Sequence, residues 1–450
     1  MRQLPYRVRL VNRVILALLI FFVCVQIGRC LAPESEAAQG ERVEDVSDKE
    51  AEKGGDGGNA AKAKEAGSEK LEAGNSASGS PTEGDGGNSA EAAVSADSSD
   101  TSRTEAPEPI DSTHIKAQKD VFLAEKIDLL LRRFHPDYAL YLIVDAPSNE
   151  ILAWGERKDG KVQSEPDFMP RSTFPAASLI KTVTVAAALE SKRYSLSTPI
   201  PFIGASHTLY KRQIHPKADY SGPTITLEEA YAKSSNPPMA IVGYNVGAKA
   251  LRSAAKKLGF NQTFPKGAPS RSDYSPPDTG YGLAEVASGF TQATNISPLL
   301  AAAQVRSIVT GKALEIPHAK GLAPYAPESA IELPLEKFSE NTYYGLRAAM
   351  QKTVTGGTAR KNISTKYMAR RSYDDLAIGG KTGSLDGDSP AGRYEWFAGF
   401  ARRKDDPKKA IVIVIMQAHI EIRSQPATQV AAMLINYWAR HLRDLEGAKK

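Results

Sequence analysis

Ser178 and Lys181 stand three residues apart at the head of an apolar run that continues through Val183, Val185, Ala186, Ala187, Ala188 and Leu189. On a helix this spacing puts a hydroxyl and an amine on one face, within reach of each other. A lysine half-buried at the start of such a helix loses hydration, which disfavours its ammonium form and suits it to act as a general base. A pair of this kind makes a serine nucleophilic without a histidine. The spacing alone is weak evidence, because Ser253-Ala254-Ala255-Lys256 repeats it. That second copy shares its helix with Arg252 and Lys257 and reads as a solvated face.

Two further clusters carry suitable groups. Ser234-Ser235-Asn236 follows a helical turn ending near Lys233, and Pro237-Pro238 prevents that turn from continuing unchanged. A hydroxyl and a carboxamide one residue apart can project from such a connection into a cleft, although a helix cap uses the same residue types. Lys381-Thr382-Gly383-Ser384 ends a strand after Ile378-Gly379-Gly380. There the glycines allow close approach of a ligand to the backbone, Lys381 supplies positive charge, and Thr382 and Ser384 supply hydroxyl donors suited to a carboxylate.

The elements that must position these groups are legible in outline. An amphipathic helix is expected from Ile115 to about Phe134, with Pro136 ending it. The apolar runs Tyr138 to Val144 and Ile151 to Trp154 flank the polar turn Pro147-Ser148-Asn149-Glu150 and predict an antiparallel hairpin. Leu376 to Thr382, Tyr394 to Phe400 and Ala410 to Met416 predict three more strands, and Ala427 to Leu442 a closing helix. The middle is mostly helical, with segments at Ala176 to Leu189, Leu227 to Tyr231, Gly247 to Leu258 and Tyr343 to Val354. Strands first and last with helices between them predict an α+β domain. Its antiparallel five-stranded sheet is completed by both chain ends, flanked by helices, and accompanied by a mostly helical subdomain.

Composition bounds the rest. The chain has 450 residues and a net charge of +5, but its apolar content is uneven. Arg2, Arg7, Arg9 and Arg13 precede an apolar run from Val14 to about Ile27, the order of an export signal. The run is short for a membrane span, so residues 1–32 read as a signal peptide or a signal anchor. Pro33 after Ala32 argues against cleavage there, Arg29 before Cys30 argues against lipidation, and the arginines favour an anchor with its N-terminus in the cytoplasm. Residues 33–113 are rich in Ala, Gly, Ser and Glu, bury too little to offset ordering entropy, and read as a disordered tether. The two cysteines, Cys24 and Cys30, lie in or beside the first segment, so residues 114–445 hold neither a disulfide nor a thiol nucleophile. The seven histidines make no zinc-binding spacing. His207, His215 and His419 are candidates for a cleft, with surface or packing roles expected of them. No basic and aromatic stripe points to nucleic acid.

Taken together, Phe174-Pro175-Ala176-Ala177-Ser178-Leu179-Ile180-Lys181, Ser234-Ser235-Asn236 and Gly380-Lys381-Thr382-Gly383-Ser384 resemble, in order and context, the three active-site motifs of penicillin-binding transpeptidase domains. Gly280-Tyr281-Gly282, Ser297-Pro298, Val354-Thr355-Gly356-Gly357-Thr358-Ala359 and Trp396-Phe397-Ala398-Gly399-Phe400 support the likeness, which covers about Ile115 to Leu442. The resemblance implies a β-lactamase/transpeptidase-like fold and a membrane-bound enzyme on the outer side of a bacterial cytoplasmic membrane. Such an enzyme acts on D-Ala-D-Ala stem peptides of peptidoglycan, with β-lactams as covalent inhibitors and no metal or organic cofactor. It implies Ser178 as nucleophile, Lys181 as base, Ser234 as proton relay and Lys381 as the positive group of the site. Asn236, Thr382, Gly383 and Ser384 would bind substrate, and the backbone N–H groups of Ser178 and Ser384 would form an oxyanion hole. The Glu-x-x-Leu-Asn element of class A β-lactamases and the Tyr-Gly-Asn motif of class D enzymes are both missing from the sequence, which disfavours efficient β-lactam hydrolysis. The same motifs also serve D,D-carboxypeptidases and endopeptidases, and a β-lactam receptor or scaffold would keep them too. The long interval from Asn236 to Lys381 resembles the transpeptidase branch. A tether stands where monofunctional transpeptidases carry a folded pedestal.

Overall fold

The computed structural model describes residues 113–216, 219–265, 269–388, 391–420 and 423–448. The expected signal peptide or signal anchor, and all of the expected tether except Thr113, lie outside the described residues. Among those described, no helix is long and apolar enough to cross a membrane.

The main sheet is built from β1 (Tyr138–Asp145), β2 (Ile151–Lys158), β3 (Lys161–Gln163), β4 (Leu376–Asp388), β5 (Ala391–Arg403) and β6 (Ala410–His419). Its order is β4-β5-β6-β1-β2-β3, with all neighbours antiparallel. The early and late strands therefore join side by side into one sheet, as expected, through the pairing of β1 with β6. The sheet has six strands and not the five expected. The extra one, β3, follows a two-residue Asp159-Gly160 connection in which both residues have positive φ (49° and 77°). That is the conformation of a tight hairpin turn whose twist matches its strands, and it carries β2 on past Trp154 to Lys158.

The central strands are apolar on both faces because both faces are covered. Leu140, Leu142 and Val144 of β1, with Val412, Val414 and Met416 of β6, enter a core shared with the helical subdomain. The alternate residues Tyr141 and Ile143, with Ile411, Ile413 and Ile415, enter a second core against α1 (Val121–Phe134) and the closing helix α8 (Ala427–Gly447). Residue alternation along each strand thus sorts side chains between two cores. The predicted first helix is interrupted: a short turn, Thr113–Lys116, precedes α1, and Asp120 caps α1 by accepting from the N–H of Leu123 at 3.0 Å.

The subdomain comprises α2 (Lys181–Glu190), α3 (Leu227–Ala232), α4 (Asn236–Lys257), α5 (Gly280–Ser288), α6 (Pro298–Thr310) and α7 (Glu340–Gly356). The expected segment at Gly247 to Leu258 is the second half of α4, which bends at Gly247. Pro237 and Pro238 begin α4, where a missing N–H costs nothing. The predicted helix at Ala176 to Leu189 divides into a 3-10 turn, Ala177–Ile180, and α2.

Candidate active site

Ser178 lies on the 3-10 turn and Lys181 opens α2, so the turn delivers the three-residue spacing. The approach to the turn is pinned on several sides. Phe174 and Pro175 pair with Asn295 and Ile296, and the indole N–H of Trp396 donates to the carbonyl of Pro175 at 3.0 Å. Gly289 packs so closely that a Cβ there would fall 2.1 Å from the carbonyl oxygen of Ala177. Ala177 itself has φ 47°, an unfavourable region for a residue with a Cβ that persists only where its surroundings impose it. Ser234 has φ 54°, so Ala177, which precedes Ser178, and Ser234 itself share the same backbone strain.

The amine of Lys181 is fully buried and has three neighbours: Ser178 Oγ at 2.7 Å, Asn236 Oδ1 at 2.8 Å and the carbonyl of Ser288 at 2.6 Å. Two of these can only accept. A neutral amine has two hydrogens for those two acceptors, which leaves its lone pair for the hydroxyl hydrogen of Ser178. Burial first, and the positive charge of Lys381 second, hold Lys181 well below the usual lysine range. The carboxamide of Asn236 is held in turn by donating from Nδ2 to the carbonyl of His207 at 3.1 Å.

Lys381 comes from β4 and is also buried. It donates to Ser234 Oγ at 2.9 Å and to the carbonyl of Thr382 at 2.8 Å. Its ammonium lies 5.4 Å from the centre of the Tyr231 ring, within cation–π range. Burial pulls it down to about 7. Ser178 and Ser234 thus each have a buried lysine, and both residues line one cleft of about 830 Å³.

β4 is an edge strand, and its outer edge forms a wall of that cleft. The carbonyl of Thr382 meets Lys381 there. By the two-residue period of a strand, the peptide groups of Ser384 and Asp386 face the same way. Thr382 Oγ1 lies 2.6 Å from Thr358 Oγ1, which sets two hydroxyls side by side opposite Ser178. Gly383 also lines the cleft. Its Cβ direction, however, points at Trp396 Cβ and the carbonyl of Ala176, at 3.2 and 3.3 Å. Its lack of a side chain therefore serves the packing of β4 against the segment that leads into Ser178.

All eight candidate residues gather at this cleft or in direct contact with its lining. The other Ser-x-x-Lys copy does not: Ser253 and Lys256 are exposed on α4. Of the three candidate histidines only His207 lines the cleft, where it also contributes its carbonyl; His215 packs edge-on against the ring of Tyr244, and His419 is buried 3.8 Å from the carboxylate of Glu395. Among the described residues no cluster of histidine, cysteine, aspartate and glutamate is suited to a metal ion. Sequence reasoning gave no role to Thr358, although its Thr-Gly-Gly-Thr context was visible, nor to Ser288, whose carbonyl carries no sequence signal.

The model of the penicillin binding protein transpeptidase domain matches residues 139–436. The chain belongs to this family. This penicillin-binding-protein transpeptidase domain is 25% identical over 282 residues to the peptidoglycan D,D-transpeptidase PbpA of Mycobacterium tuberculosis, a match covering 60% of this chain and 55% of that protein. It is 24% identical over 337 residues to stage V sporulation protein D of Bacillus subtilis, covering 67% of this chain and 48% of that one. The chain spans about half the length of the curated relatives it matches. Among solved structures, the imipenem acyl-enzyme complex of M. tuberculosis penicillin-binding protein A superimposes with a TM-score of 0.51 at 19% identity, covering 69% of this chain and 76% of that one. The transpeptidase domain of Burkholderia pseudomallei penicillin-binding protein 3 gives 0.53 at 17% identity, covering 75% and 95%. These likenesses establish the fold.

Proposed function

We propose that this chain is a peptidoglycan D,D-transpeptidase that works through a serine acyl-enzyme. The observation that carries the reading is the environment of Lys181, a buried amine whose two acceptor-only neighbours leave its lone pair for Ser178. Lys181 takes the hydroxyl proton of Ser178 as Oγ attacks the carbonyl preceding a terminal D-alanine. The developing oxyanion is held by the backbone N–H groups of Ser178 and Ser384. As the peptide C–N bond breaks, Ser234, backed by Lys381, passes a proton to the departing amine. Asn236 orients the donor, and the hydroxyls of Thr382 and Ser384, joined by Thr358, receive the terminal carboxylate in the field of Lys381. An amine of a second stem peptide then attacks the ester, forming a crosslink and freeing Ser178.

β-Lactams imitate the donor and acylate the same serine. In the same reading, residues 1–32 anchor the chain in the cytoplasmic membrane, 33–113 tether it, and 114–445 form the catalytic domain on the outer side. The name of the M. tuberculosis relative, a peptidoglycan D,D-transpeptidase, supports the cell-wall setting.

The assignment is tested by exposing the full chain to labelled penicillin and locating the label by peptide mass spectrometry. Mass is expected on the peptide containing Ser178. Label on another residue, or unchanged labelling of Ser178→Ala, overturns it. Incubation with a pentapeptide donor and an acceptor amine is expected to give crosslinked product. Trimmed peptide alone would make the enzyme a carboxypeptidase, and no turnover with intact acylation would make it a β-lactam receptor.

A further inference from the structure

The segment between α5 and Asn295 forms a strap on the nucleophile's side of the cleft. At one end the carbonyl of Ser288 accepts from Lys181 and Gly289 packs on Ala177. At the other, the carbonyl of Thr294 accepts from the N–H of Ala176 at 2.8 Å, and Asn295 and Ile296 pair with Phe174 and Pro175. Both ends are thus tied to the residues that lead into Ser178. The middle of the strap reaches across the cleft, where Gln292 Nε2 donates to the backbone carbonyl of Asp386 on β4 at 2.9 Å. That carbonyl is held in place from behind: Asp386 pairs with Arg393 on β5, and their side chains form an ion pair at 2.9 Å.

The position of this contact along β4 gives it meaning. On the reading above, the donor's terminal carboxylate lies at the hydroxyls of Thr358, Thr382 and Ser384, and its reacting carbonyl lies at the backbone N–H of Ser384. The donor residues before that carbonyl then run antiparallel to β4 toward Asp386. An extended peptide laid on a strand edge pairs with its outward N–H and carbonyl groups. The next outward carbonyl after Ser384 is that of Asp386, and Gln292 already occupies it.

We propose that Gln292 is a specificity-determining residue that competes with the donor peptide for the Asp386 carbonyl, disfavouring donors long enough to pair there relative to short acylated D-Ala-D-Ala donors. This rests on the proposed donor orientation.

The test compares kcat/KM for a stem pentapeptide and for N-acetyl-D-Ala-D-Ala, using the full chain and the variants Gln292→Ala and Gln292→Met. The methionine keeps the side chain's bulk and loses its donor. Removing one exposed neutral hydrogen bond is expected to raise the pentapeptide-to-dipeptide ratio by about 3- to 10-fold in both variants. A rise in the alanine variant alone assigns the effect to bulk and overturns the hydrogen-bond competition. So does a ratio within about twofold of the parent, or an equal loss for both donors, while penicillin still acylates Ser178. Loss of penicillin acylation in the parent chain overturns the reading of the site instead, and the proposal with it.

Discussion

The chain contains one sequence pattern in two settings. Ser178 and Lys181 begin a buried helix, with the lysine amine enclosed by a carboxamide and a carbonyl; Ser253 and Lys256 lie on the solvated side of α4. The covalent spacing is the same. Burial, and then the positive charge of Lys381, make the Lys181 ammonium give its proton up more readily. The chemistry therefore belongs to the surroundings of the pair.

Replacing the two lysines in parallel gives the largest contrast. Lys181→Met is expected to slow acylation by labelled penicillin by about 10²- to 10⁴-fold, the range for loss of a positioned general base. Lys256→Met is expected to leave the rate unchanged. Equal effects would dissolve the distinction.

Burial also has a cost, visible in stability. Lys381 is drawn down to about 7 from an ordinary 10.5, so between those values the unfolded chain binds more protons than the folded one. Stability contributed by this group therefore rises as pH climbs through that window, and the full penalty of a buried charge is felt below it. Lys381→Met is expected to stabilise the domain by about 1–4 kcal/mol near pH 6, with the gain shrinking toward pH 10, while penicillin acylation falls. Thermal unfolding of parent and variant across this range checks it, and a gain independent of pH would contradict the assignment.

A smaller effect is expected at Thr358. Thr358→Val removes the hydroxyl beside Thr382 and should raise the concentration of donor peptide needed for half-maximal rate by about 3- to 10-fold, the effect of one lost neutral hydrogen bond. The same change should alter unfolding by less than about 1 kcal/mol, because the side chain is exposed. Ser253→Ala, at the bottom of the scale, should change neither acylation nor stability measurably.

The parts of the site legible in the sequence are those built from neighbours along the chain. Ser178 with Lys181, Ser234 with Asn236, and Lys381 through Ser384 each carry their geometry in a turn, a helix start or a strand. The sheet's apolar strands were equally readable, because burial on both faces leaves continuous runs such as Ile411 to Ile415. Contacts closed by the fold were not readable. Ser288 matters through a carbonyl that every residue has, Gln292 through a reach across the cleft, and Thr358 because α7 ends beside β4. The sixth strand escaped for a different reason: Lys161–Gln163 is too short for alternation to register, and only the Asp159-Gly160 turn announces it. The 3-10 turn before α2 packs Ala177 against Gly289, a contact between residues far apart in sequence that local periodicity does not register.

The indole of Trp396 joins the cleft wall to the carbonyl of Pro175, three residues before Ser178. Of the three tryptophans in the chain, Trp154 and Trp438 lie outside the cleft lining. Trp396 therefore gives the protein a native optical probe. Its emission responds to the polarity and hydrogen bonding around the ring, so occupation of Ser178 is expected to change the fluorescence and to be followed in real time, without a chromogenic substrate or an attached dye.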